Sequence, residues 1–212
     1  MMSSSKNKAR DIFKRAVDKG DYKKGIKEMN KLIDDKEVED EEILYNLAFL
    51  YDHYSFDLEQ NERKKMEEKA INLYKKVLEI NPDYYNAIWG IARIYGYRKS
   101  KKALPYAKKA YEKHKKESGN EDFAQNVASI YNILGDYKKA EKWYKKPLDK
   151  TDQPGMFANI VNFYRKTNQL EKIESYLKKG KELFKRKPKF FKKSLVGQRI
   201  KEALEEKKRD NC

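Results

Sequence analysis

The stretch GDYKKG at residues 20–25 returns as GDYKKA at residues 135–140, 115 positions further along the chain. Aligning the two copies extends to a repeating unit of about 34 residues. The first helix of each unit carries large and small apolar residues at i, i+3, i+4 and i+7, which is one face of an α-helix. The residues on this face are Leu44, Leu47, Ala48, Tyr51; Ile88, Ile91, Ala92, Tyr95; Ala124, Val127, Ala128, Tyr131; Phe157, Ile160, Val161 and Tyr164.

The hexapeptide is predicted to form the bend between two antiparallel helices. Its glycine is expected to end the first helix in a left-handed conformation, and its aspartate to begin the second. Its tyrosine is expected to pack under the bend. These residues are Gly20, Asp21 and Tyr22 in the first copy and Gly135, Asp136 and Tyr137 in the second. A small residue then starts the second helix and lets the two backbones approach closely, at Gly25, Ala70, Ala103 or Ala140.

This pattern resembles the tetratricopeptide repeat, whose motif positions are met by Leu47, Ala48 and Tyr51, by Ala70 and Tyr74, and by Pro82. The resemblance implies an all-α fold, a right-handed α-solenoid of about five helix-turn-helix units with a C-terminal capping helix. We expect the solenoid to span residues 6–186, with units beginning near residues 6, 41, 85, 121 and 154. An insertion near residues 55–66 either lengthens a helix or covers the groove.

Composition argues for a solvated helical protein without catalytic or metal chemistry. The chain is 39% hydrophobic and 40% charged, too apolar for a disordered chain and too charged for an ordinary sheet protein. No apolar run is long enough to span a membrane, and the single cysteine fits a reducing, cytoplasmic location. His53 and His114 have no metal-ligand spacing, so we expect no enzyme, no cofactor and no metal.

The resemblance implies a concave groove, lined by the first helices, that binds a segment of another protein. The side chains one stripe from the core face combine aromatics with asparagines, which bond both donors and acceptors of a peptide backbone. The predicted groove residues are Tyr45, Asn46, Phe49, Asn86, Trp89, Arg93, Tyr97, Asn126, Asn159 and Asn162. The alternative is that the aromatics Phe49, Trp89 and Tyr97 pack against the insertion.

Some family members clamp the acidic C-terminus of cytosolic chaperones between cations and asparagines of successive first helices. Arg10, Lys14 and Asn46 match the first positions of that clamp, but Asn86 and Gly90 stand where two further cations are required. We therefore do not predict a chaperone-tail receptor.

The C-terminal segment, residues 187–212, is expected to be basic and to hold the capping helix. Residues 178–209 carry 14 Lys or Arg against four Glu, out of a net charge of +16 for the chain. The candidate polyanion-binding residues are Lys185, Arg186, Lys187, Lys189, Lys192 and Lys193. They favour an alternative function, an RNA- or ribosome-associated protein. The spacing of the phenylalanines among them and the amphipathic helix that follows favour a core role for these rings, which does not account for the charge. Self-association through open solenoid ends is a third possibility.

Overall fold

The computed structural model describes residues 2–34, 40–149, 154–173, 175–176, 178–179 and 182. Regular structure within these ranges is entirely helical. The α-helices are α1 (Met2–Lys19), α2 (Tyr22–Asp34), α3 (Glu41–Tyr54), α4 (Gln60–Ile80), α5 (Tyr85–Tyr97), α6 (Ala103–Ser118), α7 (Ala124–Ile133), α8 (Tyr137–Lys145) and α9 (Pro154–Lys166). Short 3₁₀ turns at Ser55–Asp57 and Leu170–Lys172 follow α3 and α9.

The chain divides into two compact bodies, an N-terminal body of residues 1–113 and a C-terminal body of residues 114–212. Successive helices pack against each other within each body, α1 on α2 and α3 on α4 in the first, and α7 on α8 in the second. The predicted first-helix face is the core in both bodies, because every residue on it is buried except Tyr95, which is half-buried.

The bends between paired helices have the predicted left-handed glycines. Gly20 has φ +67° and Gly135 has φ +81°. The aspartate that follows each glycine accepts a backbone N–H of the next helix, Lys24 N to Asp21 Oδ1 and Lys139 N to Asp136 Oδ1, both at 3.2 Å. The sequence interpretation of GDYKK as a helix stop followed by a helix start is confirmed.

Two further bends use the same geometry without glycine. Lys99 has φ 51° and Asn168 has φ 54°. The N–H after each left-handed residue donates to the carbonyl of a repeat tyrosine, Ser100 N to Tyr95 O and Gln169 N to Tyr164 O, both at 2.9 Å. Gly135 is followed by the same bond, from Asp136 N to Tyr131 O. The bend is therefore set by this hydrogen-bond pattern, and glycine is only its least strained occupant.

One prediction from the sequence is wrong, and one alternative that the sequence left open is decided by the structure. Tyr137 is 51% exposed, so the prediction that it packs under the bend is wrong, while Tyr22 is half-buried with its ring 5.5 Å from that of His53. The insertion mostly lengthens a helix, since α4 begins at Gln60, separated from the end of the 3₁₀ turn by two residues, and runs for 21 residues.

Close approach of two helices explains the glycine of the first hexapeptide. A Cβ on Gly25 would lie 2.5 Å from Ala16 Cβ and 3.2 Å from Leu50 Cδ1. Those distances are shorter than ordinary contacts, so α2 packs against α1 and α3 through its bare backbone at this point. The predicted role of a small residue at the start of the second helix is confirmed for Gly25.

Candidate partner-binding surfaces

A polar cleft of about 300 Å³ lies in the C-terminal body between α7 and α9. We call it the amide cleft. Its walls are amides and one hydroxyl, its floor is aromatic, and a lysine lies at its edge. The lining residues are Gln125, Asn126, Ser129, Asn132, Asn159 and Asn162, with Tyr144, Phe163 and Lys166. None of these described lining residues is acidic, so the cleft offers uncharged donors and acceptors beside a single cation.

A hydrogen-bond chain fixes one wall of the amide cleft. The Asn159 side-chain amide donates to Gln125 Oε1, and Gln125 Nε2 donates to Met156 O at 3.1 Å. Gln125 is only 6% exposed, so its amide acts as a support rather than as a contact surface. Asn126 and Asn162 are half-buried, which leaves part of each amide in the cleft. The cleft therefore combines one anchored asparagine with two whose exposed parts can contact a ligand.

Aromatic rings on α3 form a packed layer in the N-terminal body. Phe49 stacks on His53 with ring centroids 3.7 Å apart and meets Phe13 of α1 edge-on at 5.3 Å. Tyr45 packs against Tyr84 at 5.2 Å. These contacts join Phe49 and Tyr45 to neighbouring repeat helices rather than to the insertion. The rings form a continuous aromatic surface that is half-buried rather than fully exposed.

Arg93, on α5, is held by a buried carboxylate. Its Nε and Nη2 donate to Asp52 Oδ2 at 3.2 and 2.5 Å, and Asp52 is only 1% exposed. The guanidinium also lies 5.7 Å from the centroid of the Phe49 ring. Because a buried carboxylate needs a fixed cation, Arg93 stabilises the α3–α5 contact and is not a freely available ligand-binding group.

His53 lies beside this ion pair. Burial of the ring, with the nearby Arg93 guanidinium as a second cause, lowers the pKa of His53 to about 4. Its Nδ1 lies 3.0 Å from Phe49 O. The imidazole is therefore neutral near pH 7, and the charge in this region is confined to Asp52 and Arg93.

One aromatic pair of the N-terminal body is exposed to solvent. Tyr97 is 47% exposed and Phe56 is 41% exposed, and their rings meet edge-on at 5.0 Å. The Arg63 guanidinium lies 4.9 Å from the Phe56 centroid. The Tyr97 ring packs against the start of the insertion and Tyr97 is still partly exposed, so its predicted place in the groove stays a prediction. Sequence analysis missed Phe56, which follows α3 at a position outside the repeat pattern.

The predicted groove residues thus fall into three groups. Asn126, Asn159 and Asn162 come together in the amide cleft. Tyr45, Phe49 and Arg93 belong to the packed layer of the N-terminal body. Among the others, Asn46 is 6% exposed, and Asn86 and Trp89 are half-buried on α5. The six candidate residues of the basic tail, from Lys185 to Lys193, lie outside the described residues, so that prediction stays a prediction.

The sequence pattern of the tetratricopeptide repeat family matches residues 61–84 and 122–148 of the chain. Solved structures share the fold over almost the whole length. The thermophilic TPR protein TTC0263 of Thermus thermophilus is 19% identical, with a TM-score of 0.65 over 94% of this chain and 98% of that one. The chain contains tetratricopeptide repeats. The predicted all-α solenoid class is confirmed.

A second solved structure and one much longer protein are also similar to this chain. MamA (41-end) of Desulfovibrio magneticus RS-1 is 15% identical, with a TM-score of 0.60 over 88% of this chain and 98% of that one. The RNA polymerase-associated protein CTR9 of Saccharomyces cerevisiae is 32% identical over 126 residues. That match covers 56% of this chain and 11% of CTR9, so the chain spans about a tenth of that relative's length.

Gly90, one of the positions where the chaperone clamp of some family members requires a cation, packs directly against a buried ring. A Cβ at this position would overlap Cε2 and Cζ of the Tyr74 ring and lie 2.9 Å from Cε1. The place of a clamp cation is therefore filled by a buried tyrosine ring. Arg10 is also occupied, since its Nη2 donates to Glu42 Oε2 at 2.8 Å and its guanidinium lowers the pKa of Glu42.

The part of the chain that the structure describes contains neither a candidate metal centre nor a candidate membrane span. Among the described residues, no group of three or more His, Cys, Asp or Glu is arranged to hold a metal ion. Within the same ranges, no helix combines the length and the apolar character that crossing a membrane requires.

Proposed function

We propose that this protein is a non-enzymatic, cytoplasmic interaction module that binds an extended segment of another protein in the amide cleft. The observation that carries this proposal is the gathering of Asn126, Asn159 and Asn162 in one cleft with Ser129 and Asn132. The tetratricopeptide repeat supports a protein-binding scaffold in general. The cytoplasmic location rests on the single cysteine, which fits a reducing compartment.

The chemistry of the amide cleft fits a polypeptide backbone. Each primary amide presents two N–H donors and one carbonyl acceptor, the same groups that an extended peptide offers along its length. Because the walls are uncharged, a peptide that binds there does not have to displace counterions or leave a charged wall residue buried without a partner. Lys166 at the edge adds one contact for an acidic side chain or a terminal carboxylate of the bound segment.

The aromatic surface of the N-terminal body is proposed as a second contact for partner protein. Tyr97 and Phe56 expose apolar area at small entropic cost, because each aromatic side chain has only two rotatable bonds. The predicted residues remain part of this proposal, Tyr45, Phe49 and Arg93 in the packed layer, and Asn46, Asn86 and Trp89 beside it on α3 and α5. Arg93 is excluded as a test position, because its substitution would leave Asp52 buried without a cation.

The first experiment identifies the segment that binds. A photo-crosslinking residue replaces Ser129 in the amide cleft or, as the matched control, exposed Lys138 on α8 of the same body. We expect crosslinks from position 129 to map to one short segment of a partner, and crosslinks from position 138 not to. Equal products from both positions would contradict the proposal.

The second experiment measures the affinity of that segment for the double variant N126L/N162L. Loss of two amide contacts at about 1 kcal/mol each weakens binding roughly thirtyfold. The matched control is N61L/N72L, which makes the same two exchanges at exposed positions of α4. Unchanged affinity of N126L/N162L, with helicity preserved by circular dichroism, would refute the assignment of the cleft.

A further inference from the structure

Basic residues are distributed very unequally among α2, α3, α4 and α5 of the N-terminal body, while α1 carries six Lys or Arg of its own. The second helices α2 and α4 contain ten Lys or Arg, whereas the first helices α3 and α5 contain one, Arg93. Arg93 is bonded to Asp52. The free positive charge of these four helices therefore lies on α2 and α4, away from the aromatic layer of α3.

Three carboxylates of α2 and α4 are paired with arginines. Arg15 pairs with Glu28 of α2, and Arg98 bridges Glu67 and Glu68 of α4. Arg63 also binds Glu67. These arginines occupy three of the carboxylates that would otherwise neutralise lysines on α2 and α4. In these pairs arginine contributes to the fold, whereas the lysines of α2 and α4 are exposed.

We call the exposed sides of α2 and α4 the lysine face. Both helices pack on α3 through their apolar sides, which leaves their lysines in solvent. Lysines of the face that make no ion pair within the described residues include Lys23, Lys27, Lys31, Lys65, Lys75 and Lys76. Those at 23, 27 and 31 are spaced i, i+4 and i+8, so they form one row along α2.

We propose that the lysine face binds the phosphate backbone of RNA, independently of the amide cleft. Lysines that make no ion pair within the described residues contribute little to binding a protein partner, because isolated surface ion pairs are worth at most about 1 kcal/mol. A nucleic acid instead carries dense, uniform charge with condensed counterions, and each phosphate neutralised by a lysine releases counterions. Unpaired lysines in rows are therefore effective against RNA without precise geometry.

The same face is poorly suited to inserting into a membrane surface. Ile80 is the only large apolar side chain exposed on the described parts of α2 and α4, and it lies at the last residue of α4. An interfacial helix anchors itself through a row of large apolar side chains beside its cations. The lysine face has cations without that row.

The test compares three charge-neutralised variants of the full chain for binding to a short fluorescent single-stranded RNA across a salt series. K27Q/K31Q/K76Q removes three charges from the lysine face. K8Q/K14Q/K19Q removes three from exposed positions of α1 and is the matched control. K185Q/K187Q/K189Q removes three from the basic tail. Glutamine keeps helix propensity close to that of lysine, so all three variants should retain helicity.

We expect the first variant to lower the slope of log affinity against log salt by about 2, because single strands release about 0.7 counterion per phosphate contact. The α1 control should change that slope far less. If all three variants lose the same RNA affinity, binding depends on net charge alone and not on the lysine face. If only the tail variant loses affinity, RNA binds to the basic tail instead. Binding to phosphatidylserine vesicles but not RNA, or to neither, would also overturn the proposal.

Discussion

Substitution of Gly90 by alanine tests how the helices of the N-terminal body pack. In an open helical position this exchange stabilises a protein by about 1 kcal/mol, because alanine has the higher helix propensity. Here the new Cβ would overlap the ring of Tyr74, which is 1% exposed and lies 5.9 Å from the Tyr45 ring. The ring has no free space to enter, so α5 must move away from α4.

The expected size follows from two opposing contributions. Overpacking of a well-packed core costs about 1–3 kcal/mol, and an overlap with two ring atoms belongs at the upper end. Subtracting the gain in helix propensity leaves a net loss of about 2 kcal/mol in the free energy of unfolding. With a urea dependence of about 2 kcal/mol per molar for a small domain, the unfolding midpoint should fall by about 1 M.

The two tryptophans allow each body to be followed separately. Trp89 lies on α5 of the N-terminal body and Trp143 on α8 of the C-terminal body. Urea unfolding is followed by Trp89 fluorescence in a W143F background, with and without G90A. The control G155A places a Cβ on α9 where no atom lies within 4 Å, and it should not lower the midpoint reported by Trp143 in a W89F background. An unchanged or higher midpoint for G90A would refute the packing argument.

Two further predictions concern stability. The pKa of His53 is lowered to about 4, so as pH falls from 6.5 towards 4 the unfolded chain takes up a proton that the folded chain does not. Over that pH range, the unfolding free energy of the N-terminal body should therefore fall by about 2 kcal/mol more in the wild type than in H53Q. This value is smaller than the full pKa shift would give, because the His53 ring is partly exposed to solvent. An identical pH dependence of the urea midpoint in H53Q would contradict this. K99G should raise the unfolding free energy by about 0.5–1 kcal/mol, because glycine adopts the left-handed bend without strain, whereas G135A should lower it by a similar amount. A destabilised K99G would show that Lys99 makes a compensating contact.

The repeat architecture was predictable because it depends on periodic burial. Residues such as Leu47 and Tyr51 lie on one helical face whatever the partner helix is, and the left-handed glycines 20 and 135 carry their own local signal. Lys99 adopts the same conformation without that signal, since lysine is rarely found there and its sequence neighbours give no indication of it.

The partner-binding surfaces were only partly predictable, because pairing across helices does not follow from spacing. Arg93 shares a helical stripe with exposed positions, yet it bonds Asp52, 41 residues earlier, on the neighbouring helix. Phe56 is exposed beside Tyr97 only because the insertion starts with a 3₁₀ turn. By contrast, Asn126 and Asn162 line one cleft, and their spacing gives a reason, since equivalent positions of successive first helices face the same side.

The most direct test of the central claim is the NMR response of the side-chain amides to the crosslinked partner segment. Resonances of Asn126, Asn159 and Asn162 are assigned by single Asn→Asp exchanges, and the segment is then titrated into the full chain. The account predicts that these three amides shift together and saturate at one affinity, while amide resonances of Asn61 and Asn72 on α4 stay in place. Shifts confined to α4, or to the surroundings of Phe56 and Tyr97, would contradict binding in the amide cleft.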